Sequence, residues 1–255
     1  MNYNLTDLEP SLLWKHFSTI CSIPHPSKHE QNLAEWISGF AQQQKLDYMR
    51  DSAGNLLVRK SATSGREDSD IIILQSHLDM VPQKHDSTRH DFFTDPICPY
   101  SDGEWVRATG TTLGADNGIG VAASLAILED RALAHGPLEV LFTVDEETGM
   151  SGVKNLDPNL LNGKRLINLD TEDDSELCVG CAGGIDVIAT CKPVCEVVTG
   201  DKIAFKISID GLRGGHSGID IHTGRGNAIK LLNRILFIAS EKFNIAIHSF
   251  NGGNI

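Results

Sequence analysis

The chain has 255 residues, of which 40% are hydrophobic and 22% are charged, a composition that excludes overall disorder and allows one or two domains. Its 34 acidic and 22 basic residues give a formal charge of −12 without any Lys/Arg cluster, which argues against a nucleic-acid partner. No apolar run approaches the ~18 residues needed to span a membrane, and the first seven residues lack a basic stretch and an apolar signal core. We therefore expect a soluble cytoplasmic protein with no membrane partner.

The first predicted element is a helix that begins after residue 27. Ser27-x-x-Glu30 has the form of a capping box, and an apolar stripe follows it at helical spacing. His29-Glu30 begins like the zinc-binding pattern His-Glu-x-x-His, but Leu33 stands at the second histidine position. We therefore expect His25 and His29 to be surface or capping residues rather than metal ligands. The stripe consists of Leu33, Ala34, Ile37, Phe40 and Ala41.

Four apolar runs then predict strands, and a helical stretch lies between the second and the third. The run at 71–74 does not alternate with polar residues, which is typical of a strand buried on both faces of a partly parallel sheet. The order strand, helix, strand indicates an α/β architecture. The strands are predicted at 55–60, 71–74, 138–144 and 166–169, and the helix at 117–129.

The pattern changes after Gly183-Gly184. Apolar and polar residues alternate over 203–209, which predicts a half-exposed strand, and an apolar stripe over 228–239 predicts a helix. A further strand is predicted at 244–250. We place a boundary at residue 184 and expect residues 185–255 to belong to a second, smaller α+β domain.

Four of the six cysteines form two closely spaced pairs, Cys178-x-x-Cys181 and Cys191-x-x-x-Cys195. The spacing superficially resembles a four-thiolate zinc site. The segment between the pairs is strand-like, and residues three apart on a strand point to opposite faces. This favours small, buried, structural thiols over a zinc site.

Acidic residues and a histidine follow the predicted strands. His77 and Asp79 come after the strand at 71–74, Asp145-Glu146-Glu147 follows the strand at 138–144, and Asp170 follows the last strand. Asp116 stands immediately before the helix at 117–129. Because the carboxyl ends of strands form the binding crevice of open α/β sheets, we expect these side chains to converge.

Four carboxylates in one crevice, those of Asp116, Glu146, Glu147 and Asp170, repel one another unless they are protonated or neutralised. Two divalent cations bridged by a carboxylate would cancel that charge. Imidazole and carboxylate ligands suit zinc, cobalt or manganese better than magnesium. The alternative is that individual acids are solvated loop residues or helix caps.

Four stretches together resemble the co-catalytic metallopeptidases that include aminoacylase, carboxypeptidase G, succinyl-diaminopimelate desuccinylase and several dipeptidases. Asp116-Asn-Gly is more similar to dipeptidases, since the deacylases usually have Asp-Met-Lys-Gly here. The resemblance implies a mixed sheet sandwiched by helices and metal-dependent hydrolysis of unblocked dipeptides, including those with C-terminal histidine. The stretches are Ser76-His-Leu-Asp-Met-Val-Pro-Gln-Lys84, Thr111-Thr-Leu-Gly-Ala-Asp-Asn-Gly-Ile-Gly120, Thr143-Val-Asp-Glu-Glu-Thr-Gly149 and Asn168-Leu-Asp170.

The resemblance also implies a role for each matching residue. His77 and Asp170 would hold one metal and Glu147 the other, with Asp116 bridging both. Asp79 would orient the His77 imidazole. Glu146 would be the general base that takes a proton from the water between the metals and delivers it to the leaving amine.

In the second domain, Gly214-Gly-His216-Ser-Gly218 matches a family motif whose histidine stabilises the oxyanion. The resemblance implies that residues 185–255 begin a lid and dimerisation domain, while residues 1–184 form the amino-terminal part of the catalytic domain. It leaves open whether His216 serves its own chain or the partner in a homodimer.

One family feature has no counterpart in the sequence. The second metal of the family is completed by a histidine near the C-terminus, and no segment of this chain matches it, so we expect a longer enzyme. Two alternative functions stay open: a deacylase of N-acyl amino acids from the same family, and a non-catalytic metal-binding module.

Overall fold

A mixed five-stranded sheet forms the centre of the first of two compact units, Met1–Cys181 and Ala182–Ile255. The strands are β1 (Asp47–Arg50), β2 (Leu56–Lys60), β3 (Ile72–His77), β6 (Leu138–Thr143) and β7 (Arg165–Asn168), and a separate hairpin consists of β4 (Pro99–Ser101) and β5 (Val106–Ala108). The strand order in the sheet is β1-β2-β6-β3-β7; β3 runs parallel to β6 and β7, and β2 runs antiparallel to β1 and β6. The computed structural model describes residues 5–171, 175–180, 183, 185, 187–192, 194–215, 218 and 220–252.

Three long helices cover one face of this sheet. Alternate strand residues, including Val58, Leu74 and Phe142, join the helices in one buried core. The opposite face carries Leu57 and Leu141, with their neighbour Ile73, against leucines of the segment 156–161. The helices are α1 (Ser11–Cys21), α2 (Gln31–Gln43) and α3 (Ala115–Glu129), followed by the single turn α4 (Ser151–Lys154).

The four predicted strands and the helix before β6 are confirmed to within a few residues, as is the mixed sheet with helices. The apolar stripe of α2 is buried as predicted. The helix α1, the strand β1 and the β4–β5 hairpin were not predicted. Strand β1 is mostly exposed and has no apolar alternation, so its residues give little signal.

The predicted capping box is wrong. Helix α2 begins at Gln31, and no side chain caps it. The Ser27 hydroxyl instead donates to a carboxylate oxygen of Asp79, and the Glu30 carboxylate accepts from the backbone of Asp145. His25 is buried rather than on the surface. Its backbone carbonyl accepts from the N–H of the buried Met80, which places His25 in the interior as well.

In the described part of the second unit, the helix α5 (Ala228–Lys242) lies where a helix was predicted. The Asn227 side chain caps it by accepting from the backbone N–H of Lys230. The strands predicted at 203–209 and 244–250 are wrong, since no strand is assigned to the described residues of this unit. A strand needs a neighbour hydrogen-bonded through the backbone, whereas the bond from the Lys202 ammonium to the Asn244 carbonyl is one from a side chain.

The division of the chain falls at 181/182, three residues from the predicted boundary at 184, and the role of the second part as a lid stays a prediction.

Cys178, Cys191 and Cys195 are exposed, so the expected burial of these thiols is wrong; Cys181 lies outside the described residues. Among the described residues, no helix combines the length and apolarity needed to cross a membrane.

Candidate metal centre

Five titratable side chains meet at the carboxyl ends of the three parallel strands. His77 is the last residue of β3, Glu146 and Glu147 follow β6, and Asp170 follows β7. Asp116 enters from the first turn of α3. Parallel strands end at the same edge of a sheet, which is why residues distant in sequence become neighbours here.

The His77 imidazole lies at the centre of this cluster and is only 1% exposed. Its Nε2 atom is 3.0 Å from Asp116 Oδ1 and 3.5 Å from Asp170 Oδ1. Burial by itself would lower the pKa of His77, but hydrogen bonds to Asp116, Asp170 and Asp79 outweigh burial and raise the pKa to about 12. The crevice thus strongly favours a positive charge at this position.

Asp79 holds the other side of the imidazole and the turn that carries the two glutamates. It is 1% exposed, and its Oδ1 atom is 3.3 Å from His77 Nδ1. The same Oδ1 accepts from the backbone N–H of Glu146 at 2.9 Å, and Oδ2 accepts from that of Glu147 at 3.1 Å. Burial alone would raise the pKa of Asp79, but the His77 imidazole, the backbone N–H of Glu146 and the Ser27 hydroxyl outweigh burial and lower it. Asp79 is therefore an ionised anchor for both neighbours.

The environment of the two glutamates disfavours their charged forms. Burial raises the pKa of Glu147, the nearby carboxylates of Asp116 and Glu146 add to the shift and His77 opposes it, and together these effects raise the pKa to about 7. Burial likewise raises the pKa of Glu146, with Asp170 adding to the shift. Raised carboxyl pKa values in a crevice mark a site where a cation would be favourable.

The start of α3 fixes Asp116 and Asp170 relative to each other. Gly114 has φ +70°, and a Cβ atom there would lie 2.9 Å from Met80 Sδ, so the close turn before Asp116 requires glycine. The Asn117 side chain donates to the Leu169 carbonyl at 2.8 Å and also to the Asp170 carboxylate. The loop after β7 is thereby tied to the helix.

Two groups of three residues bring potential ligand atoms within 4.8 Å of one another: His77 with Asp116 and Asp170, and His77 with Glu146 and Glu147. One imidazole nitrogen and several carboxylate oxygens form a donor set that suits zinc, cobalt or manganese. The residues present therefore fit divalent cations. All five belong to the set predicted from the sequence, and His216 lies outside the described residues.

Three supporting residues were not identified from the sequence. Ser27 and Glu30 were assigned to a helix cap, because a capping box and a tertiary anchor have the same local pattern. Asn117 directly follows the predicted metal ligand Asp116, and this position in the sequence is the feature that could have identified Asn117 as a supporting residue.

A model of peptidase family M20/M25/M40 matches residues 73–217, more than half of the chain and all five residues of the cluster. The chain is 52% identical over 251 residues to the cytosol non-specific dipeptidase of Escherichia coli strain K12, covering 98% of this chain and 52% of that protein. Its structure is similar to that of aminoacylhistidine dipeptidase from Vibrio alginolyticus, with TM-score 0.71 and 47% identity over 95% of this chain and 49% of that one.

A tripeptidase from Staphylococcus aureus shares the fold, with TM-score 0.54 and 24% identity over 64% of this chain and 44% of that one. The chain spans about half the length of the Escherichia coli and Vibrio relatives. On the match of the family model, this chain belongs to peptidase family M20/M25/M40.

Proposed function

We propose that this protein hydrolyses the peptide bond of unblocked dipeptides, including those with C-terminal histidine, and that it does so with two divalent cations. The observation that carries the proposal is the convergence of one imidazole and four carboxylates at the carboxyl edge of the sheet. The names of two relatives that match almost the whole of this chain, a cytosol non-specific dipeptidase and an aminoacylhistidine dipeptidase, support the substrate class. The first of these names also supports a cytosolic location.

His77 and Asp170 would hold one cation, Glu147 would hold the other, and Asp116 would contribute to both. The 3.0 and 3.5 Å separations of His77 Nε2 from the two aspartates support the first group. Bound divalent cations would lower the pKa of water and polarise the scissile carbonyl, and zinc, cobalt and manganese all suit this donor set.

Glu146 would be the general base. In this role its carboxylate accepts a proton from the attacking water and returns it to the nitrogen of the departing amine, a transfer that typically contributes about 10²–10⁴-fold. The hydrogen bond from its backbone N–H to Asp79 supports this role, because it fixes the position of the backbone from which the Glu146 side chain extends. Asp79 would keep the His77 imidazole oriented by facing Nδ1.

His216 would donate a hydrogen bond to the oxyanion that develops on the carbonyl oxygen. The proposal rests on the motif Gly214-Gly-His216-Ser-Gly218, since this histidine lies outside the described residues. A homodimer is the assembly in which it could act on a partner's site. Mixing His216→Ala with Glu146→Ala chains tests this, because activity would reappear in the mixture only if the histidine acts between chains.

A substrate panel tests the proposed reaction on the complete natural protein loaded with zinc, cobalt or manganese. We expect cleavage of dipeptides with a free α-amine, including several with C-terminal histidine, and no cleavage of their N-acetylated forms. Cleavage confined to N-acyl amino acids would replace the proposal with a deacylase. Bound metal without turnover of any substrate would indicate a non-catalytic metal-binding module.

A further inference from the structure

Two buried carboxylates hold three successive backbone N–H groups of the turn after β6. Glu30 Oε1 accepts from Asp145 at 3.0 Å, and the two oxygens of Asp79 accept from Glu146 and Glu147 at 2.9 and 3.1 Å. The turn that carries the proposed base and a proposed metal ligand is therefore fixed from two sides.

Glu30 is suited to this task by its burial and by its own support. It is 5% exposed, and the same Oε1 atom also accepts from the backbone N–H of Lys28 at 2.9 Å. The preceding loop is attached to the strand end that bears Asp79, since the backbone of Ser27 pairs with that of Met80. Glu30 thus joins this loop to the turn after β6, although Glu30 and Asp145 are 115 residues apart in sequence.

Asp145 needs such a restraint because its backbone lies in the left-handed region, with φ +55°. Residues with a side chain adopt this conformation rarely, and it persists where surrounding contacts impose it. The Asp145 carboxylate is already occupied by the hydroxyls of Ser151 and Thr148. The backbone N–H of Asp145 donates to Glu30 instead. This hydrogen bond helps to set the direction in which the chain continues to Glu146.

We propose that Glu30 is a positioning residue, which sets the geometry of Glu146 and Glu147 by holding the Asp145 amide. This inference rests on the proposed function for the consequences on catalysis, but not for the contact itself. Losing a supporting partner of this kind typically costs about 10–100-fold in activity or metal affinity.

Two substitutions of nearly the same size separate the hydrogen bond from the volume of the side chain. Glu30→Gln keeps an oxygen that can accept from Asp145, whereas Glu30→Met fills the space without an acceptor. In Glu30→Met we expect hydrogen exchange of the Asp145 amide in metal-free protein to rise about 10–100-fold, the range for a lost bond to a charged acceptor. We expect kcat to fall by about 10–100-fold with KM nearly unchanged, and zinc affinity to weaken. Glu30→Gln should restore most of each value.

Glu139→Met is the matched control, because Glu139 is also buried, lies on β6, and accepts from the backbone N–H groups of Asn162 and Gly163. It should lower overall stability but leave exchange at Asp145 and kcat close to wild type. If Glu30→Met does not fold, Glu30→Asp, which withdraws the carboxylate by one methylene, takes its place in the comparison. Unchanged exchange at Asp145 and unchanged kcat would overturn the inference, and so would equal losses in the Glu139→Met control. A wild-type protein without dipeptidase activity would remove the proposed function, while the exchange measurement would still decide the role of Glu30.

Discussion

Replacing Asp79 with asparagine should disturb the crevice with little change of volume. Both oxygens of Asp79 accept a backbone N–H, from Glu146 at 2.9 Å and from Glu147 at 3.1 Å. Whichever way the asparagine turns, its NH₂ group faces one of these donors. One of the two backbone N–H groups then loses its acceptor. Because Asp79 is only 1% exposed, water cannot readily replace that acceptor, and we expect the free energy of unfolding to fall by about 1–3 kcal/mol.

The imidazole of His77 also loses a charged neighbour at 3.3 Å. Outer partners of metal ligands typically contribute about 10–100-fold to metal affinity or activity, so a loss of that size is expected in zinc affinity and in kcat/KM. Urea unfolding of the metal-free protein measures the stability, and competition with a chromogenic chelator measures the affinity.

Ser27→Ala is the control for Asp79→Asn, because it removes one hydrogen bond to Asp79 but leaves both backbone amides with their acceptor. It should therefore reduce zinc affinity much less than Asp79→Asn does. The reasoning would be refuted by an Asp79→Asn protein that unfolds at the wild-type urea concentration and binds zinc as tightly as wild type.

Three further predictions concern single side chains. Glu146→Ala should lose kcat while keeping its metal, whereas Glu147→Ala should also lose metal; equal metal content and equal rate loss in the two variants would contradict the division of roles. His216→Ala should lower kcat by about 10²–10³-fold with metal retained, and a near-normal kcat or a loss of metal would exclude the oxyanion role. Burial alone would raise the pKa of Glu139, but its backbone and guanidinium donors outweigh burial and lower the pKa below the ordinary 4.5. Its stabilising contribution is therefore complete above about pH 4.5 and is lost as the pH falls further, so the stability difference between wild type and Glu139→Gln in urea should shrink in acid; a difference independent of pH would contradict this.

Much of the cluster could be predicted because it follows from local sequence and one rule of topology. The run of apolar residues that ends in β3 identifies a buried strand, and His77 stands at its end. Glu146, Glu147 and Asp170 stand in the same relation to the ends of β6 and β7. Since β3, β6 and β7 are parallel, their ends share one edge, and convergence needed no further information.

The supporting contacts could not be predicted, because they join segments whose proximity only the folded chain reveals. Glu30 and Asp145 are 115 residues apart, and the pattern around Glu30 equally satisfies a helix cap. The strand predicted at 203–209 failed for a related reason: alternation shows that a segment could have one buried face, but strand formation depends on a neighbour.

The need for metal in peptide hydrolysis tests the central claim most directly. The complete natural protein is dialysed against a chelator, its metal content is measured, and hydrolysis of a dipeptide with a free α-amine and C-terminal histidine is followed before and after addition of zinc, cobalt or manganese. We predict that activity disappears with the metal and returns as divalent cations are bound again, because the carboxylates around His77 remain uncompensated without them. Full turnover by the metal-free protein would contradict the account.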